Sequence, residues 1–156
     1  MRQGDLVDDF TLPDQTGTPR SLSELLEGGP VVLFFYPAAM TSGCTKESCH
    51  FRDLAAEFEA VDGVRVGISM DTVDKQAAFA DKHSFDYPLL ADTDGTVAKA
   101  FGVKRRVDLL RTKRATFVID TDRRLLAKIS SETSMTKHAD AALEILQERK
   151  AQPASS

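Results

Sequence analysis

Only two of the 156 residues are cysteine, Cys44 and Cys49, five positions apart. So few thiols exclude a disulfide-stapled framework; in a reducing compartment such a pair is reactive, metal-binding or inertly buried. No apolar run approaches the roughly 18 residues of a membrane span. The opening MRQGDLVDDF also lacks the apolar stretch of a secretory signal, so the chain reads as soluble and cytoplasmic. A surplus of positive charge is missing as well. Its 20 basic and 24 acidic residues are interspersed and leave a net charge of -4, which gives nucleic acid no basic field to bind. The absence of G-x-G-x-x-G, G-x-x-x-x-G-K-[ST] and H-E-x-x-H removes dinucleotide, nucleotide and zinc-protease readings. There are no repeats and no internal linker. Residues 1–150 therefore read as one domain, with AQPASS at 151–156 as a frayed tail.

What is present is a core. Hydrophobic residues make up 42% of the chain, enough to fill the interior of one domain. PVVLFFY at 30–36 and VRVGIS at 64–69 are nearly continuous apolar runs, which predicts strands buried on both faces. ATFVID at 115–120 and LLAKIS at 125–130 flank Thr121, Asp122 and Arg123, a hairpin connection. Between the first two strands, Phe51, Leu54, Ala55 and Phe58 fall on one stripe, which predicts one amphipathic helix joining parallel strands. Residues 71–85 predict a further helix, capped by Asp71 or Thr72, with Val73, Ala77 and Ala80 on one side. YPLLAD predicts a short strand, 96–101 a short helix, and 135–150 a closing helix carrying Ala139, Ala142, Leu143 and Leu146. At the front, FTLPDQTGTPRSL predicts two short strands around a turn at 14–17, then a brief helix at 21–26. KRRVDLLRTK at 104–113 reads as a long basic loop whose Leu109 and Leu110 pack on their own domain. Together these elements make an α/β sandwich of three layers, a mixed sheet with parallel central strands covered by helices, preceded by an N-terminal hairpin.

The cysteines occupy a telling place in this scheme. Gly43 and Cys44 open the helix after the first buried strand, where unpaired N–H groups and the helix dipole favour an anion and hence a thiolate. By helix periodicity Cys44 shares a face with Ser48, Phe51 and Ala55, whereas Cys49 keeps company with Arg52, Asp53 and Ala56. One thiol thus faces the core and the other a more polar side. Five helical residues separate two Cα atoms by roughly 8 to 9 Å. A disulfide needs them within about 7 Å, so the two thiols can bond only if the turn between them melts. That suits a reaction in two stages, with Cys44 reacting in the folded helix and Cys49 captured after local opening.

Pro37, Thr41 and Cys44 form the pattern P-x-x-x-T-x-x-C, and FYPAAMTSGCTKESCHFRD as a whole resembles the peroxiredoxins, in particular the bacterioferritin comigratory protein or peroxiredoxin Q subgroup. GDLVDDFTLPDQTG, FDYPLLADTDGTVAKAFGV and RATFVID extend the resemblance along nearly the whole chain. It implies a thioredoxin-like fold, reduction of hydrogen peroxide and organic hydroperoxides, and recycling by thioredoxin or a similar dithiol, with no metal or other cofactor. Carried onto this sequence, Cys44 is the peroxidatic nucleophile and Cys49 the resolving thiol. The Thr41 hydroxyl would bond the thiolate or the peroxide, Pro37 would shield the sulfur from water, and Arg114 would stabilise the thiolate and the departing oxygen. Pro37, Thr41, Gly43 and Arg114 would together bind the peroxide. Arg111 and Lys113 compete for the arginine role, and the offset from Thr116 and Phe117 selects Arg114. Ala38, Ala39 and Met40 stand where many relatives carry a polar residue, and Ser42 where proline is frequent; the apolar rim that results suits bulkier hydroperoxides.

Other chemistries fit the same residues less well. Cys44, Cys49 and His50 have no usual zinc spacing and no evident fourth ligand. His83 and His138 read as solitary, solvated side chains. A thiol-disulfide exchange protein would be expected to carry C-x-x-C, closer than the spacing here, and a copper carrier would need a close cysteine pair and a distant histidine. A monomer is the default, with a dimer as the alternative.

Overall fold

The central strand β3 (Val31–Phe35) is inaccessible to solvent along its whole length, as its unbroken apolar run requires. In the computed structural model, which describes residues 2–104, 112–131, 134 and 136–151, this strand is the axis of a five-stranded sheet. On one side it pairs in parallel with β4 (Val64–Ser69), which pairs in parallel with β5 (Leu89–Ala91). On the other it pairs antiparallel with β6 (Ala115–Ile119), and β6 with β7 (Leu125–Ser130). The hairpin between β6 and β7 turns through Arg123 at φ +66°, with a register shift at Val118 and Ile119. A separate two-stranded ribbon, β1 (Thr11–Pro13) with β2 (Pro19–Ser21), precedes the sheet.

Alternation along β3 divides the interior. Val31, Leu33 and Phe35 face a core completed by α1 (Leu22–Leu26) and α5 (Thr96–Ala100). Val32 and Phe34, with Tyr36 just beyond, face the opposite core, to which α2 (Ser42–Asp53), α3 (Ala55–Ala60), α4 (Val73–His83) and α6 (Lys137–Ala151) contribute. Cys44 lies in that second core, beside Phe34 and Phe51.

Several sequence expectations change. The stripe of Phe51, Leu54, Ala55 and Phe58 is not one helix: Leu54 leaves helical geometry at φ -95° and ψ 21°, separating α2 from α3. Phe51 and Phe58 remain stacked at 5.8 Å across the bend, so the buried pair survives where the helix does not. Helix α4 is capped by Thr72, whose Oγ1 accepts from Lys75 N at 3.3 Å. It buries Gln76, Phe79 and Ala80, while Val73 and Ala77 are half-exposed, and it ends at His83 through Ser84 in the left-handed region at φ +54°. His138 is fully buried, not solvated, and His83 is half-buried against Phe79 and Phe85. Ala151 closes α6, one residue past the expected boundary. The rest of the tail, residues 105–111 with Leu109 and Leu110, and Met135 lie outside the described residues. Among the described residues no helix is long and apolar enough to cross a membrane.

Candidate active site

At the end of β3 the chain leaves the sheet through Tyr36 and half-buried Pro37, and turns back at Met40, which adopts φ +71°. The loop is pinned from below. Ala39 N donates to the buried Asp71 carboxylate at 2.7 Å, and that carboxylate also accepts from Ser69 Oγ at 2.7 Å and pairs with Lys75 at 3.3 Å. Thr41 then caps α2 in extended geometry, but its exposed hydroxyl donates to the Ala38 carbonyl at 2.9 Å instead of to the helix or a sulfur. Gly43 and Cys44 follow in the first turn, Gly43 half-exposed and Cys44 with no exposed surface.

Arg114 arrives from the other side of the sheet. It immediately precedes β6, whose first residue, Ala115, pairs with Phe35 at the end of β3. The antiparallel register thus delivers a residue 70 positions away to the start of α2, and Thr112 Oγ1 extends the pairing by donating to the Tyr36 carbonyl at 3.1 Å. Arg114 Nη2 donates to Cys44 Sγ at 3.2 Å, and Nη1 to Glu47 Oε1 at 2.7 Å. Burial opposes the guanidinium charge, but Glu47 and Cys44 outweigh it and hold the arginine above its ordinary pKa. A permanently charged fork in a water-excluded pocket is a strong partner for a thiolate.

Cys49 occupies the same unbroken helix, half-buried, and both thiols are free. Burial pushes the Cys49 thiol up, with Arg52 opposing and Asp53 adding to the shift. Neighbouring carbonyls are held by side chains: Tyr87 Oη donates to Ser48 O at 2.6 Å and Arg65 to Phe51 O at 2.9 Å. Burial raises the pKa of Tyr36 and Tyr87 far above the phenol range, so both are neutral hydrogen-bond donors here. His50, next to Cys49, points to Asp140 at 2.7 Å.

Of the expected site residues, Cys44 and Arg114 meet directly, Pro37 lies in the loop before α2, Gly43 immediately precedes Cys44, and Thr41 turns its hydroxyl to the loop. Glu47 escaped sequence reasoning, although its place three residues after Cys44 puts it on the same helix face. His138 also escaped it; with Ala142 and Leu146 it lies on one face of α6.

Comparison with known proteins places this geometry. The AhpC/TSA family matches residues 3–128. A peroxiredoxin-type protein of Mycobacterium tuberculosis is 67% identical over 148 residues, covering 94% of this chain and 96% of that protein. The chloroplastic peroxiredoxin Q of Sedum lineare is 38% identical over 150 residues, 96% of this chain and 80% of that one. Among solved structures, peroxidoxin BcpB from M. tuberculosis superposes with a TM-score of 0.92 at 64% identity, over 98% of this chain and 99% of that chain. The Xanthomonas campestris bacterioferritin comigratory protein, solved in trapped intermediate and ligand complexes, gives 0.82 at 28% identity, over 90% and 91%. The chain therefore belongs to the AhpC/TSA family and, within it, to the peroxiredoxins of the bacterioferritin comigratory protein and peroxiredoxin Q type: a thiol peroxidase of thioredoxin-like fold that reduces peroxides with two cysteines, Cys44 and Cys49.

Proposed function

We propose that Cys44 is the peroxidatic cysteine and Cys49 its resolving partner within the same chain. The observation that carries this is the Arg114 guanidinium 3.2 Å from the buried Cys44 sulfur, while Cys49 stands farther along an intact helix as a free thiol. Cys44 thiolate attacks the distal oxygen of the peroxide in line with the O–O bond. The S–O bond forms as O–O breaks, sulfur is oxidised to sulfenic acid, and the leaving alkoxide or hydroxide takes up a proton as alcohol or water. Arg114 stabilises the thiolate beforehand and the charge that moves onto the leaving oxygen. Pro37 limits water at the sulfur, and the first-turn N–H groups around Gly43, with Thr41, hold the peroxide. After the turn opens, the Cys49 thiolate attacks the sulfenic sulfur, hydroxide leaves as water, and the disulfide forms. Thioredoxin or a similar dithiol returns both thiols, in the cytoplasm, to a monomeric enzyme.

Organic hydroperoxides are the second substrate class. Met40 is 39% exposed at the rim beside Thr41, with half-buried Ala38 next to it, while Ala39, expected in the same rim, is buried in the core. Alkyl peroxide reduction is an activity of the X. campestris bacterioferritin comigratory protein, which shares this fold. Equal kcat/KM for hydrogen peroxide and a fatty-acid hydroperoxide would reject a preference for the bulkier substrate.

The test of the main reading is intact mass within seconds of adding one equivalent of hydrogen peroxide to reduced protein. Wild type is expected to lose two hydrogens, Cys49→Ser to gain one oxygen, and Cys44→Ser to stay unchanged. Slow and equal reaction of all three would show ordinary thiols and overturn the assignment.

A further inference from the structure

His138 is a buried imidazole in the first turn of α6 that the peroxide chemistry leaves unused. Both ring nitrogens are engaged: Nε2 lies 2.8 Å from the Ser131 carbonyl oxygen, and Nδ1 2.8 Å from Thr116 Oγ1 on β6. A carbonyl only accepts, so Nε2 carries a hydrogen, and the edge of the ring that bears it is electropositive. That edge faces the active site. Nε2 is 3.7 Å from Glu47 Oε2, the other oxygen of the carboxylate that receives Arg114 Nη1 at 2.7 Å. Arg114 in turn donates to Cys44 Sγ at 3.2 Å. Imidazole, carboxylate, guanidinium and sulfur therefore form one line, with no more than 6% exposure at any member.

Out of water, charges at these separations are weakly screened, and the carboxylate's place depends on what surrounds it. The ring is clamped at two points by Thr116 and Ser131, and its Nε2 side stands against the Glu47 carboxylate. We propose that His138 is a positioning residue for the peroxide step: its imidazole seats the Glu47 carboxylate that aims Arg114 at the Cys44 sulfur. This rests on Cys44 being the peroxidatic thiol. It also makes α6, close to the end of the chain, a support of the catalytic site, and the same turn of α6 meets α2 a second time through Asp140 and His50. Among the described residues, the charged side chains beside His138 on its own turn, Lys137 and Asp140, are exposed.

The experiment is stopped-flow measurement of the fast, peroxide-dependent phase and the slower disulfide phase for wild type, His138→Leu and Thr116→Val. His138→Leu is expected to slow the peroxide step about tenfold, the scale of a misaimed donor in a buried site, while the slower disulfide phase, which does not use the Arg114 fork, stays within about twofold of wild type. Thr116→Val keeps the ring but removes one clamp, and its peroxide step should slow by about threefold. A peroxide step within about twofold of wild type in both variants, or an equal slowing of both phases, would overturn the positioning role. If circular dichroism shows His138→Leu to be unfolded, Thr116→Val decides alone by the same two criteria. Failure of wild type to show a Cys44-dependent fast phase would instead reject the peroxidatic assignment, so the two ideas fail separately.

Discussion

Arg114 does two things with one planar group: one nitrogen reaches the Cys44 sulfur at 3.2 Å and the other the Glu47 carboxylate at 2.7 Å. A lysine carries the same charge but not the fork, so it can satisfy only one partner at a time. Arg114→Lys is therefore expected to slow sulfenate formation by about a hundredfold, the scale for losing one preorganised donor in a buried site. Stopped-flow kinetics with hydrogen peroxide would check this, and a rate within a few fold of wild type would mean that charge alone suffices. Cys49 obeys a different constraint. Burial raises its pKa in the closed helix, so the closed turn holds the thiol proton more tightly than the opened turn does. The proton-linked stability of the closed turn is full below the ordinary thiol pKa and declines as pH rises through and above it. The attacking thiolate also becomes more abundant in the same direction. Disulfide formation after a peroxide pulse should accordingly accelerate from neutral to alkaline pH; a flat profile would place another step in control.

Helix α2 is the element that must change for the two thiols to meet. Its first turn has no side-chain cap, since the Thr41 hydroxyl turns to the Ala38 carbonyl. Its later turns are anchored: Tyr87 Oη on Ser48 O at 2.6 Å, Arg65 on Phe51 O at 2.9 Å, and Arg52 on His83 O at 2.7 Å. Melting is thus expected from the Thr41 end, with Ser48 as the first anchored carbonyl between the cysteines. Tyr87→Phe removes that one hydrogen bond and keeps the ring that packs on Phe34 and Phe85. The loss of about 1 kcal/mol should raise the disulfide-forming rate about fivefold, with a modestly lower melting temperature. An unchanged rate would show that the anchor is already released before the rate-limiting event.

For the whole molecule, the sheet's second core ties α2 to the fold. Phe34 on β3 stacks on Phe51 of α2, with centroids 4.1 Å apart and planes at 7°, and meets Tyr87 edge-on at 5.7 Å. Phe34→Ala opens a cavity at this junction and is expected to cost about 3–5 kcal/mol of global stability in urea unfolding. A loss under about 1 kcal/mol would mean that α2 and its neighbours collapse onto the space.

Local pattern by itself determined a large part of this protein. The Val- and Phe-rich runs fixed the buried strands because a strand covered on both faces has no polar positions to spare. Pro37, Thr41 and Cys44 at their spacing carried the resemblance to the family, and helix periodicity separated a core-facing Cys44 from a more polar Cys49, as burial in the structure bears out. Three-dimensional structure decided the rest. The bend at Leu54 is invisible to a stripe that continues through it, because periodicity records which face is apolar and not whether the axis stays straight. Sequence alone assigned Glu47 no role and read His138 as a solvated imidazole, yet both are buried. Their partners come from segments distant in sequence, joined only when β6 pairs antiparallel with β3 and α6 packs over that edge. A sequence specifies which face a side chain occupies; what stands opposite that face is settled only by the packing of the other elements against it.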